Sequence, residues 1–65
     1  MRLTVNGEAM EVAATTIAAL VAVLQLDGRK LAVERNLAIV PRSAYAETSL
    51  SEDDRIEIVA FVGGG

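Results

Sequence analysis

Asn6-Gly7 sits between two short runs of alternating character, Arg2-Leu3-Thr4-Val5 and Glu8-Ala9-Met10-Glu11-Val12. Asn-Gly in that setting is the strongest short-range hairpin signal, because both central residues of a type I′ turn need positive φ. The turn implies a register that the pattern can check. A two-residue loop sets Val5 opposite Glu8, Leu3 opposite Met10 and Met1 opposite Val12. Apart from Glu8 beside the turn, that face is apolar, while Arg2 and Glu11 meet on the other. A slip of one residue would turn the apolar set to solvent, so turn and pattern specify one pairing. The chain thus opens with a hairpin whose apolar face must be covered.

The covering element follows in the chain. Ile17, Leu20, Val21 and Leu24 fall at i, i+3, i+4 and i+7, one stripe of a helix. Thr15 or Thr16 can supply the N-cap oxygen, and Gly28 is the expected C-terminal stop. The opposite side is rich in alanine, which implies partial cover by neighbouring loops. Leu31 to Arg35 and Ala38 to Val40 read as two short strands around a turn at Asn36, the second ended by Pro41. Residues 43–51 are polar and turn-like, with one short helical turn expected near Tyr45. Tyr45 is expected to lay its ring on the core with its hydroxyl toward water. Glu52-Asp53-Asp54 reads as a solvated acidic turn, and Lys30, Arg35 and Arg42 as surface residues.

The last strand, Arg55 to Val62, alternates at first and then becomes wholly apolar. If Ile56, Ile58, Ala60 and Val62 face the core, period-two alternation sends Glu57, Val59 and Phe61 to the other side. Two readings of that end stand. Either the strand twists and buries Phe61, or Val59 and Phe61 form an apolar patch for a docking partner. The element order predicts an α+β fold, a mixed sheet packed on one helix with the last strand beside the first.

Composition narrows the chemistry. The chain has 65 residues, 52% of them hydrophobic, which suits one small domain and leaves little length for an elaborate cleft. It contains no cysteine and no histidine, so thiolate nucleophiles, Cys-based metal sites and the commonest general base are all missing. No catalytic residue and no metal site is expected. The formal net charge of −3 disfavours a nucleic-acid partner. Ile17 to Leu24 is too short to span a bilayer, and no positively charged start precedes an apolar run. A cytoplasmic protein, monomeric when free, is expected.

The chain ends in Gly63-Gly64-Gly65. Glycine makes up about 7% of residues, so three at one fixed place should arise by chance in roughly one chain in 3,000. Glycine loses more conformational freedom on ordering than any other residue, so such a tail adds nothing to a fold. A thin stalk for a carboxylate that must enter another protein's active site needs that composition, and three extended residues reach about 10 Å. The expected division is a domain over residues 1–62 and a flexible tail over 63–65.

The terminal glycines after Ile56-Glu57-Ile58-Val59 resemble ubiquitin-like β-grasp proteins that are activated at their C-terminus. The likeness narrows to the bacterial thiamine-biosynthesis sulfur carriers, the ThiS family. The features that carry it are a first strand ending in Asn6-Gly7-Glu8, the segment Ile39-Val40-Pro41-Arg42, Tyr45 soon after, and Asp54-Arg55-Ile56-Glu57-Ile58 running on to Gly65. Two positions depart from the family pattern. Glu52-Asp53-Asp54 lacks the glycine often found in that turn, and Leu37 replaces a polar residue or glycine after Asn36.

The resemblance implies that a ThiF-like adenylyltransferase uses ATP to adenylate the Gly65 carboxylate, the carrier itself binding no cofactor. A persulfide sulfur donor would then convert it to a thiocarboxylate, and a ThiG-like thiazole synthase would take the sulfur. The chain would be a protein co-substrate rather than an enzyme. Two relatives of the same fold are the alternatives, the small subunit of molybdopterin synthase and a ubiquitin-like protein modifier. The former is usually richer in aromatics than the 3% found here.

Overall fold

The opening hairpin adopts the register its turn demands. In the computed structural model, which describes residues 1–61, β1 (Arg2–Val5) and β2 (Glu8–Glu11) pair antiparallel with Leu3 opposite Met10 and Val5 opposite Glu8. Asn6 and Gly7 take φ of 50° and 84°, the left-handed pair a type I′ turn requires. The Val12 N–H donates to the Met1 carbonyl at 2.9 Å and the N-terminal ammonium returns a bond of 2.7 Å.

Helix α1 (Ile17–Val23) begins at Thr16, whose Oγ1 accepts the Ala19 N–H at 3.1 Å. It does not run on to Gly28 as the sequence suggested. Gln25 turns left-handed at φ 60°, its N–H donates to the Ala22 carbonyl, and the Leu26 N–H donates to the Val21 carbonyl. That is a Schellman closure with glutamine in the position glycine usually takes. Gly28 instead starts a 3₁₀ turn, Gly28–Lys30, packed under the Tyr45 ring.

Strands β3 (Leu31–Arg35), β4 (Ala38–Val40) and β5 (Arg55–Ala60) complete a mixed sheet of order β2-β1-β5-β3-β4. β5 lies in the middle, parallel to β1 and antiparallel to β3. Alternation divides each strand between two faces. Leu3, Val33 and Ile56 from the sheet are fully buried with Ile17 and Leu20 from α1, and Val5, Val21, Leu31, Val40, Tyr45 and Leu50 close the core around them. Each such aliphatic side chain contributes about 1.5–3 kcal/mol by leaving water, so truncating any of the five central ones to alanine should cost about 2–5 kcal/mol. Ile58 is half-buried against the core, but Ala60 is exposed, because its single methyl is outside the core cluster that Ile58 still reaches. Val62 lies outside the described residues.

The two hairpin turns grip β5 through their asparagines. The Asn6 side chain donates to the Ile58 carbonyl at 3.1 Å and accepts the Ile58 N–H at 2.7 Å, extending the short β1–β5 ladder by one rung. Across the sheet, Asn36 at φ 51° donates its backbone N–H to the Arg55 carbonyl and accepts the Arg55 N–H on its Oδ1 at 2.9 Å.

The acidic turn departs from the solvated loop expected of it. Asp53 takes φ 68°, which aspartate tolerates better than most residues. Asp54 is buried at 5% exposure, where its carboxylate accepts from Arg35 Nε at 2.7 Å, Asn36 Nδ2 at 2.9 Å and the Ser51 N–H at 2.8 Å. Arg35 is therefore a structural ion-pair partner and not a free surface cation. Glu52 is engaged elsewhere, its carboxylate accepting the Arg2 N–H at 3.1 Å. Desolvation alone would raise the Asp54 pKa, but the bonds from Arg35, Asn36 and Ser51 outweigh it and leave the group below the ordinary 3.8.

Two tests follow from these contacts. A carboxyl depressed on folding adds stability above its unfolded value, and that stability is lost as pH falls through the folded value. Urea midpoints should therefore hold steady from neutral pH down to about 5 and drop below about 4. Asp54→Asn should cost about 2 kcal/mol at neutral pH and flatten that acid limb; an unchanged midpoint would refute the role given to this carboxylate. Leu37 is 77% exposed yet held at φ 75°, where a branched side chain costs about 1 kcal/mol. Leu37→Gly should raise stability by roughly that amount in the same assay.

Candidate functional site

The face of the sheet turned away from α1 carries side chains that a lone small domain has no structural use for. On β5, Val59 is 61% exposed, and Phe61, just beyond the strand, is 57% exposed. The reading in which Phe61 is buried therefore fails, although the alternation of burial stops at Ile58, since Ala60 between the two is exposed as well. On β4, Ile39 is 76% exposed. Exposed aliphatic and aromatic side chains are common singly, but a grouping on one face marks a contact surface.

Strand pairing decides which of these residues meet. The β3–β5 register sets Ala32 opposite Val59 and Glu34 opposite Glu57, and the β3–β4 register sets Ile39 opposite Glu34. Ala32, Val33, Glu34, Ile39, Glu57 and Val59 line a shallow groove of about 250 Å³ along this face. Ala32, Glu34 and Ile39 were not singled out from the sequence. Alternation places a residue on a face but says nothing of which strands are neighbours, and the β3–β5 pairing joins segments more than twenty residues apart.

The groove lies next to the chain's last described residues. The Phe61 N–H donates to the Lys30 carbonyl at 2.8 Å, and that bond holds the end of β5 against the 3₁₀ turn that precedes β3. Arg29 and Lys30 are exposed there, with Arg29 paired to Asp27 at 3.0 Å. That pairing pulls the Asp27 carboxyl down to about 2. Gly63, Gly64 and Gly65, and with them the division between domain and tail, lie outside the described residues.

No part of this arrangement assembles a reactive centre among the described residues. No three potential metal-ligating side chains gather there, and no helix is long and apolar enough to cross a membrane. Tyr45 is a core residue at 7% exposure and Lys30 stands in solvent, so neither is positioned as an acid or base. What the described surface offers is exposed apolar side chains on the strand that precedes the glycines in sequence.

Comparison with known proteins agrees with the fold and with the residues around it. The chain is 52% identical over 66 residues to a thiazole synthase of Paramagnetospirillum magneticum, in an alignment that takes in 100% of this chain but only 20% of that protein. It is 48% identical over 50 residues to the sulfur carrier protein ThiS of Bacillus subtilis, covering 77% of this chain and 76% of the relative. The crystal structure of the thiamine biosynthesis protein ThiS from Geobacter metallireducens superposes with a TM-score of 0.85 at 30% identity, covering 100% of both chains. The fold is therefore the ubiquitin-like β-grasp, α+β with a mixed sheet on one helix. The ThiS family model matches residues 3–65, all of the sheet but its first residue together with the terminal glycines, and the chain belongs to the ThiS family.

Proposed function

We propose that this chain is a sulfur carrier of thiamine biosynthesis, and that the group it carries is bonded to the carboxyl carbon of Gly65. The observation that carries this reading is the extent of the family match, which runs through residue 65 and so includes the glycines that no packing argument explains. The likeness to a named sulfur carrier and to a thiazole synthase supports the thiamine route over the molybdopterin route and over protein modification.

The chemistry is acyl activation. A carboxylate is a poor electrophile because its charge is delocalised and oxide is a poor leaving group. A partner adenylyltransferase joins the Gly65 carboxylate to the α-phosphorus of ATP and releases pyrophosphate. The terminal sulfur of a persulfide on a donor protein attacks the acyl-adenylate carbon, and AMP leaves. A thiol then attacks the donor's own sulfur in the resulting acyl disulfide, which breaks the S–S bond, forms a disulfide with the donor and leaves the transferred sulfur on Gly65 as the thiocarboxylate. Thiazole synthase accepts that sulfur. ATP is thus the partner's substrate, and the carrier contributes shape, a docking face and a terminus without side chains.

Glycine suits the last positions for two reasons. The backbone must thread into each partner's site and take whatever φ that site imposes, which glycine does at least steric cost. A Cβ at position 65 would also crowd the carbon under attack. Val59 and Phe61 stand a few residues upstream, where a docked partner would find them before it reached the tail.

Intact-mass analysis of the protein isolated from cells should show a species heavier by one oxygen-to-sulfur exchange, located at Gly65 by fragmentation. A chain lacking Gly65 should never acquire it and should melt at the same temperature as the parent. Absence of the heavier species in thiamine-starved cells would count against carriage altogether. Val59→Asp and Phe61→Asp should each weaken docking on thiazole synthase by about 2 kcal/mol, roughly thirtyfold, with little change in melting temperature. A variant that unfolds instead would show that the side chain serves the core.

A further inference from the structure

Glu34 and Glu57 face each other directly across the antiparallel β3–β5 pair, in the floor of the apolar groove and half-buried. Opposed residues of neighbouring strands hold their Cβ atoms about 5 Å apart, and like charges placed so are destabilising. Neither forms an ion pair within 4.0 Å in the described part of the chain. The ion pairs within 4.0 Å there are taken by Glu11, Asp27 and Asp54, leaving Glu34 and Glu57 without a cation. Around the two carboxyl groups stand Ala32, Ile39 and Val59, whose apolar surfaces exclude water once covered.

We propose that the groove is built to receive a cationic side chain, best an arginine, that thiazole synthase inserts between Glu34 and Glu57 while its apolar neighbours cover Ile39 and Val59. The inference rests on the carrier reading above and specifies the partner's chemistry at the docking face. A guanidinium presents five donors in a planar fork and can engage two carboxylates at once. Docking turns a repulsion of the free carrier into an attraction of the complex, and the surrounding aliphatics strengthen it by lowering the local polarity.

The other occupants fit less well. A second copy laid face to face would bring four carboxylates together on chains already carrying a net charge of −3 each. Nucleic acid would meet the same repulsion from its phosphates. For the chosen partner there is a further argument. In the P. magneticum thiazole synthase, the matching segment belongs to the same polypeptide as the other four-fifths of that protein. Covalent linkage gives an effective concentration in the millimolar range, so a surface of this modest size would suffice for docking there.

Isothermal titration of the full carrier into thiazole synthase from the same organism, at low and high salt, tests the proposal. The double variant Glu34→Gln, Glu57→Gln should bind at least tenfold more weakly at low salt and lose most of its salt dependence. Its melting temperature should rise or hold, because the mutual repulsion is removed; Val59→Asp serves as the control for docking on this face. If Val59→Asp weakens binding and the double glutamine variant does not, the cationic partner is overturned while the docking face stands. If neither variant weakens binding, the face itself is wrong, yet the thiocarboxylate at Gly65 could still be found by mass, so the two failures are separable.

Discussion

The central position of β5 is the constraint on which the rest of the structure depends. It pairs with β1 on one side and β3 on the other, so it joins two hairpins that would otherwise be separate ribbons. The parallel side is short, with a register of only Thr4 to Arg55 and Val5 to Ile56. A ladder so brief would be weak if the backbone were its sole source of bonds. The Asn6 side chain supplies the next rung by offering Ile58 an acceptor and a donor in the spacing of a peptide group. Asn36 performs a related service at the other end of the strand, and it also passes a bond to buried Asp54. Both residues already have to be asparagine-like for their turns, so one side chain meets two requirements.

A strand fixed in this way presents two faces with opposite duties. Ile56 is wholly buried and holds the helix to the sheet, while Val59 and Phe61 stay in water. In a chain of 65 residues the core is small and net stability marginal, so surface apolar area is an expensive thing to leave uncovered. Strain adds to that burden, since five of the described residues other than glycine hold positive φ, Leu37 and Gln25 among them. Consistent local choices elsewhere let the fold bear it: the Thr16 cap, the Schellman closure after α1 and the fully bonded Asp54 carboxylate.

Much of this could be read from the residues beforehand, and what could not has a physical reason. The hairpin register followed from Asn6-Gly7 and the helix from the spacing of Ile17, Leu20, Val21 and Leu24, because both signals are local. The placement of β5 beside β1 was inferred from element order and is correct. The helix stop was misplaced to Gly28 because a left-handed Gln25 leaves no compositional mark. Asp54 was misjudged because burial of one carboxylate in an acidic triplet depends on Arg35 and Asn36, which lie almost twenty residues away. On the candidate site, Val59 and Phe61 came from alternation, whereas Ala32, Glu34 and Ile39 needed the pairing of β3 with its neighbours.

The contrast between buried Asp54 and the facing pair Glu34 and Glu57 argues for a division of labour among the charges of this chain. Asp54 is held by three donors and serves the fold, so its charge is neutralised within the molecule. Glu34 and Glu57 have a similar opportunity, since Arg55 lies two residues before Glu57 on the same face of β5, yet it forms no pair with either within 4.0 Å. A sheet selected for stability alone would place a lysine or threonine at one of those two positions, gaining a favourable cross-strand contact of up to about 1 kcal/mol in place of a repulsion. Retaining the repulsion is sensible only where something outside the chain supplies the missing charge. A carrier must also leave each partner after delivery. Docking energy drawn from a few desolvated charges and a small apolar patch, rather than from a large buried area, suits a contact that forms and breaks once per turnover.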